Sequence, residues 1–352
     1  MMKVDSKVVA RLGGKDVLQF ILDLEDGMMV RLLSYGAIVT HLTAPDRNGK
    51  SEDMVLGFDD PSRYWSEPYL SHMCYLGAII GRNGNRIARG RFILNAKEYR
   101  LALNHGPDHI HGGIIGFDKV VWDSEIIEYK SAIGVRFSYF SRDGEEGYPG
   151  NLRITVSFVL KKDHSLTIDF RGTIDQPCPV NLTHHGYWNL TGGAKRDILG
   201  HELEIYANRY TVTDAALIPT GEFRPLKGTP LDFNSPHVIG ERIDRVPGGY
   251  DHNYVLSEGV TGLRKIARVT EPASGRVMEV LTTEPGVQFY TGNFLDGALT
   301  GKGGVSYNKH LGFCLETQHF PDSPNHPEFP DTVLQPGQTY RHTTVYRFRT
   351  VK

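Results

Sequence analysis

Apolar residues recur at every second position through much of this chain, and the alternating runs are closed by turn residues. Val17–Leu22 runs into Asp26-Gly27, a hairpin signal, and Met28–Val39 is expected to return as the partner strand. Asp46-Arg47-Asn48-Gly49 makes the next turn, and Phe92–Leu94 and Tyr99–Leu101 read as two short strands across another. Further strands are predicted at Val135–Phe140, Ile154–Leu160, Leu166–Ile174, Glu202–Tyr210, Val277–Thr282 and Tyr340–Phe348. The best helical signal is short, Val238–Asp244. Two polar, glycine-rich stretches, Gly81–Ile87 and His105–Gly113, interrupt the pattern and cannot be helices. No repeat, linker or composition break divides the chain. The expectation is an all-β fold, one domain over residues 1–352, built as a large antiparallel β-sandwich.

Composition narrows the picture. The 39 glycines in 352 residues suit a turn-rich β protein. A formal charge of −2 offers no electrostatic footprint for nucleic acid or an anionic membrane. No run of about 18 apolar residues is present to span a bilayer. Met1-Met2-Lys3-Val4-Asp5 leads into charged sequence without the apolar core of a secretory signal. Cys74, Cys178 and Cys314 are odd in number and widely spaced, as expected of reduced thiols. Asn181-Leu182-Thr183 and Asn189-Leu190-Thr191 have the form of glycosylation acceptors that would crowd the histidine pair between them, so a cytoplasmic location is expected.

The chemistry concentrates around Pro179–Leu190, where His184-His185-Gly186-Tyr187-Trp188 packs two imidazoles, a glycine and two aromatics together. In an extended segment neighbouring side chains face opposite ways, so His185 and His184 cannot share a role; His184 reads as structural. Other polar islands are Asn85-Arg86, His109–Gly113, Gly249–Asn253, Gly286–Asn293 and Gly312–Gln318. Glu316 sits in an apolar frame (Phe313, Leu315), where a carboxylate is expensive unless it is paired structurally or kept as a base. Three chemistries could draw on this set. A metal would want the histidines with Glu316, although His109-x-His111 has no glutamate close behind. Glycoside hydrolysis would want two carboxylates, such as Asp251 and Glu316. A proton shuttle on a neutral polyol would want one carboxylate, one histidine and several hydroxyl readers, with Tyr187, Trp188 or Phe289 covering an apolar sugar face.

Taken in order, the islands resemble the aldose 1-epimerase (galactose mutarotase) family over nearly the whole length. The matching stretches are Gly81-Arg82 with Asn85-Arg86-Ile87, His111-Gly112-Gly113, Asp143–Gly150, Val180–Thr183 with His185 and Tyr187, Asp251-His252-Asn253, Pro285–Phe294 and Leu315–Gln318. The resemblance implies a galactose-mutarotase-like β-supersandwich and interconversion of the α and β anomers of free aldohexoses (galactose, glucose), without cofactor or metal. It implies Glu316 as general base, His185 as general acid, and Asn85, Arg86, His111, Tyr187, Asp251 and Gln288 as sugar-binding residues. It further implies a monosaccharide as the ligand and a monomer or weak homodimer. Glu316 with a low pKa and His185 titrating near neutrality would suit these roles. Asn181 is expected to support the loop, and His105, His109 and His252 to be surface or supporting residues. Asn83-Gly84, His184 and Trp188 depart from the residues common in the family, which leaves the preferred sugar open. Alternatives are a hexose-6-phosphate 1-epimerase, which needs a cationic pocket, and a non-catalytic sugar-binding protein of the same fold.

Overall fold

The computed structural model describes residues 2–256 and 262–351. Met1 of the expected leaderless terminus lies outside them. The described chain is antiparallel β-sheet with short 3₁₀ turns and one four-residue helix, Tyr69–His72. A nine-stranded sheet runs in the spatial order Asp123–Tyr129, Ala132–Ser141, Leu152–Lys161, Ser165–Ile174, Tyr340–Thr350, Arg276–Thr282, Arg264–Thr270, Glu202–Ile205, His237–Val238. A five-stranded N-terminal sheet runs from Lys3–Leu12 to Ser51–Asp53. A second five-stranded sheet, the functional sheet, carries the candidates Asp251, Gln288 and Glu316 and is ordered Pro219–Pro225, Ala207–Thr213, Asp251–Leu256, Gly286–Tyr290, Cys314–Gln318. Among the described residues no helix is long and apolar enough to cross a membrane.

The period-two pattern explains the core. In Leu152–Lys161 the residues Leu152, Ile154, Val156, Phe158 and Leu160 are buried while those between them are half-buried or exposed. They pair in register with Leu166, Ile168 and Phe170 of the next strand. These inner faces join Val30, Leu32 and Leu42 of the N-terminal sheet and Val287, Phe289 and Leu315 of the functional sheet in one continuous apolar cluster. Each such side chain contributes roughly 1.5–3 kcal/mol on removal from water. Phe289 and Trp188 are fully buried in that cluster, with Trp188 against Tyr346 and Phe348, so neither can cover a ligand.

Three segments differ from the sequence reading. Met28–Val39 is two strands, Met29–Leu33 and Ile38–Pro45, because Gly36 and Ala37 take left-handed backbone angles (φ 64° and 46°) and turn the chain. Glu202–Tyr210 divides at Tyr206: Glu202–Ile205 pairs in the nine-stranded sheet and Ala207–Thr213 in the functional one. Val238–Asp244 is not a helix but two successive 3₁₀ turns, Ile239–Glu241 and Ile243–Arg245, separated at Arg242.

Candidate active site

The register of the functional sheet sets out the site. Asn253 stands opposite Gln288, and Gln288 opposite Glu316; one step along, Asp251 stands opposite Tyr290, and Tyr290 opposite Cys314. Residues two apart on a strand share a face, so all of these point the same way. Loops close over that face. The turn after Gly81-Arg82 brings in Asn85 and Arg86, and the turn after His109–Ile110 brings in His111. The two turns cross so closely that a side chain on Gly112 would put its Cβ 1.8 Å from the Gly81 carbonyl oxygen, so only glycine fits there. Arg82 anchors the first turn from below. Its guanidinium donates to Ser141 Oγ, the Pro149 carbonyl and the Arg142 carbonyl at 2.7, 2.9 and 2.6 Å. Asn181 holds the turn from the side, its carbonyl accepting from Gly84 N–H and its amide donating to the Arg82 carbonyl.

The resulting cavity has a volume of about 230 Å³. Asn85, Arg86, His111, His185, Tyr187, Asp251 and Glu316 all line it. Gln288 does not; it stands behind Asp251 and donates from Nε2 to Asp251 Oδ1 at 2.6 Å. His185 Nε2 and Glu316 Oε1 lie 3.7 Å apart, both residues nearly inaccessible. Tyr187 stacks on the His185 ring with centroids 5.2 Å apart. The Asn85 N–H donates to His111 Nδ1, which leaves His111 neutral with its proton on Nε2. Burial, reinforced by His185 and Arg86, holds His111 well below the usual histidine range. Glu316 Oε2, Arg86 Nε, Gln288 Oε1 and Tyr75 Oη are buried without a hydrogen-bond partner among the described residues. Such clustering of unpaired donors and acceptors marks a place for a hydroxylated ligand.

The ionisation pattern corrects the sequence reading. Glu316 is not a low-pKa carboxylate: burial pushes it well above the usual range, Asp251 adds to the shift and Arg86 opposes it. Nor does His185 titrate near neutrality, because burial pushes it down to about 4. Each group therefore resists charge, which makes the carboxylate a stronger base and the imidazolium a stronger acid than in water. The ligand atoms of His111, His185 and Glu316 also lie within 4.8 Å of one another, a spacing a metal ion could bridge.

His184 faces away, as expected of an extended pair. It is buried among Phe158, Trp188 and Tyr346, with its pKa pushed down to about 3 by burial. His109 is fully buried behind the cavity, between the Ala102 carbonyl and Tyr148 Oη. His252 is half-buried, accepting from the Asp251 N–H, and His105 lies on the cavity rim. Four contributors were not singled out from sequence. Tyr75 packs on both His111 and His185, Tyr290 and Phe294 form an aromatic wall, and Cys314 Sγ lies 3.6 Å from His185 Nδ1. Tyr290 and Phe294 lie inside the Pro285–Phe294 motif and Cys314 in the Gly312–Gln318 island, whereas Tyr75 has no sequence signal at all. Asn181 and Asn189, the apparent glycosylation acceptors, are both 1% exposed and bonded within the fold.

The family model described as aldose 1-epimerase matches residues 19–347. Galactose mutarotase from Homo sapiens is 47% identical over 337 residues, covering 96% of this chain and 95% of that protein. The aldose 1-epimerase of Escherichia coli (strain K12) is 37% identical over 329 residues, covering 92% of each chain. Among solved structures, galactose 1-epimerase from Lactobacillus acidophilus NCFM superposes with a TM-score of 0.86 at 25% identity over 100% of both chains.

Proposed function

The chain belongs to the aldose 1-epimerase family and interconverts the anomers of aldoses, and on that premise we propose that Glu316 and His185 carry the reaction on free aldohexoses such as galactose and glucose. One observation carries the assignment: the two groups lie side by side, 3.7 Å apart, on the buried wall of the cavity. The oxygen that must lose a proton and the ring oxygen that must gain one are both attached to C1, so base and acid must be neighbours. Glu316 takes the C1-hydroxyl proton while His185 Nε2 delivers one to the ring oxygen. The C1–O bond of the ring breaks and the carbonyl forms; rotation about C1–C2 and the reverse transfers close the other anomer. During opening the carboxylate and imidazolium both become neutral, which is the direction in which burial drives each of them.

Arg86 and Asp251 supply a donor fork and an acceptor for vicinal hydroxyls. Arg86 is the only arginine or lysine among the described residues lining the cavity, which favours a neutral sugar over a hexose phosphate. The location we propose is the cytoplasm, supported by three buried cysteines that are all unpaired.

Polarimetry of freshly dissolved α-D-galactose and α-D-glucose tests the reading. EDTA-treated protein should speed equilibration of both as well as untreated protein does. A treated protein that stayed inert until zinc was added would overturn the proton-shuttle account. In the same assay Asp251→Ala should raise KM and lower kcat. Loss of a buried polar partner costs roughly 1–3 kcal/mol, about 5- to 150-fold in kcat/KM. Unchanged kinetics would remove Asp251 from the site.

A further inference from the structure

At the outer end of the strands that carry Glu316 lies a second cluster of chemically active side chains. Glu284 sits in the turn between Arg276–Thr282 and Gly286–Tyr290, His319 directly follows Cys314–Gln318, and His342 lies on Tyr340–Thr350. His319 Nδ1 is 2.7 Å from Glu284 Oε2, and His342 Nδ1 is 2.9 Å from Glu284 Oε1. All three residues offer a ligand atom within 4.8 Å of the others.

We propose that Glu284, His319 and His342 form a binding site for a divalent transition-metal ion of the zinc type, separate from the sugar cavity. Two imidazole nitrogens and a carboxylate are the donor set such ions take, with positions left for water. Imidazole also argues against calcium and magnesium, which prefer oxygen throughout.

Hydrogen bonding within the cluster does not account for its geometry. The contact between His319 and Glu284 is a well-formed hydrogen bond. The one between His342 and Glu284 is not: Glu284 Oε1 and His342 Nδ1 are both buried and both without a hydrogen-bond partner, although only 2.9 Å separates them. The two atoms form an ion pair without the alignment of a hydrogen bond, on a carboxylate only 1% exposed, and an ion coordinated by both would satisfy that geometry. Among the described residues no lysine or arginine pairs with Glu284; its ion-pair partners are the two histidines.

The ligands are also held in place from outside. The Glu284 N–H donates to Thr282 Oγ1, and Arg264 donates to the Glu284 carbonyl at 2.9 Å. The Asn181 side chain bonds both the N–H and the carbonyl of His319. Outer contacts of this kind orient metal ligands before the ion arrives. On binding, His319 gives up its Nδ1 proton and carries one on Nε2 instead, so the ring stays a neutral imidazole with the Nδ1 lone pair toward the ion. An ion there would tie the nine-stranded sheet, through His342, to the functional sheet, through His319 and the Glu284 turn. It should therefore raise thermal stability without taking part in the sugar chemistry.

The test uses the full chain, stripped with EDTA, dialysed and titrated with zinc chloride by calorimetry, with melting followed in parallel. The expected result is one zinc equivalent that raises Tm and is lost in His319→Ala/His342→Ala and in Glu284→Gln. It should persist in Glu316→Gln, which disrupts the His111–His185–Glu316 trio, and magnesium should not replace it. Should the double variant fail to fold, His342→Gln alone must lose the equivalent. The proposal is overturned if wild type takes up no zinc, or if the variants in this cluster bind as many equivalents as wild type. Because the readout is binding and melting, its failure would leave the reading of the sugar cavity untouched.

Discussion

Glu316→Gln and His185→Asn are each expected to slow turnover by about 10²–10⁴-fold while leaving the fold and sugar binding in place. Both replacements are polar and close in size to the originals. The two groups act on one event at C1, so the double variant should lose much less than the product of the single losses. Wild-type turnover should be bell-shaped in pH. With Glu316 raised and His185 lowered to about 4, the pair holds a single proton over a broad range. The active arrangement, with that proton on His185, is a constant fraction of this one-proton state, and the two limbs belong to the pair. Turnover is lost in acid when the second proton binds and in alkali when the last one leaves.

Stability should move the other way. Glu316 has a folded pKa above its unfolded value, so wild type loses stability as pH rises from about 4.5, and Glu316→Gln does not. Its melting advantage over wild type should widen in that direction. His185, with a folded pKa near 4 against 6.5 unfolded, costs stability as pH falls from 6.5, so His185→Asn should gain most in acid. His184→Asn should stay within a few-fold of wild-type activity. A dead His184→Asn beside a working His185→Asn would show that the acid is the other histidine.

Arg82→Met is expected to destabilise the fold next to the site. The guanidinium is 2% exposed, and it serves the Pro149 and Arg142 carbonyls together with Ser141 Oγ. Ser141 can fall back on Glu145, to which it already donates, and the Arg142 carbonyl keeps the Glu145 N–H, but the Pro149 carbonyl would be left unpaired. At roughly 1–3 kcal/mol for a buried acceptor left unpaired, the loss should be about 1–3 kcal/mol. Urea unfolding should show a lower midpoint at unchanged slope. Arg82→Lys keeps the charge without the three-way fork and should fall in between. Catalytic efficiency should drop as well, since Asn85 and Arg86 ride on the turn that Arg82 anchors. An unchanged midpoint would mean that the Pro149 carbonyl finds another donor.

Much of this was legible in the chain. Alternation located the strands of the nine-stranded sheet from Val135 to Ile174, because each keeps one face in the core and the other outside it. It could not separate Ile205 from Ala207, because period-two burial looks the same whichever sheet a strand joins. The order of short motifs placed the residues on the cavity wall. Their spacing carried no information on burial, which is why the ionisation of Glu316 and His185 was misread. Gln288 shares its motif with residues that line the cavity, yet sits behind Asp251, a distinction that only the packing of adjacent strands decides. Tyr75 reaches the site through a loop with no periodicity, and the cluster at Glu284 draws on three segments distant in sequence.

Because Asn253, Gln288 and Glu316 stand opposite one another across three paired strands, a one-residue insertion within any of those strands would turn part of the catalytic face toward the other side. Asn85, Arg86 and His111 follow a separate, shorter register, in which Arg86 stands opposite Ile110 and Ile87 opposite His109. On the proposed roles, the three strands carry the base Glu316 and the sugar-binding Asp251, and a second, shorter pairing carries Arg86. A library aimed at a different aldose should therefore keep both pairings, Arg82 and Gly112 intact and vary only side chains that line the cavity.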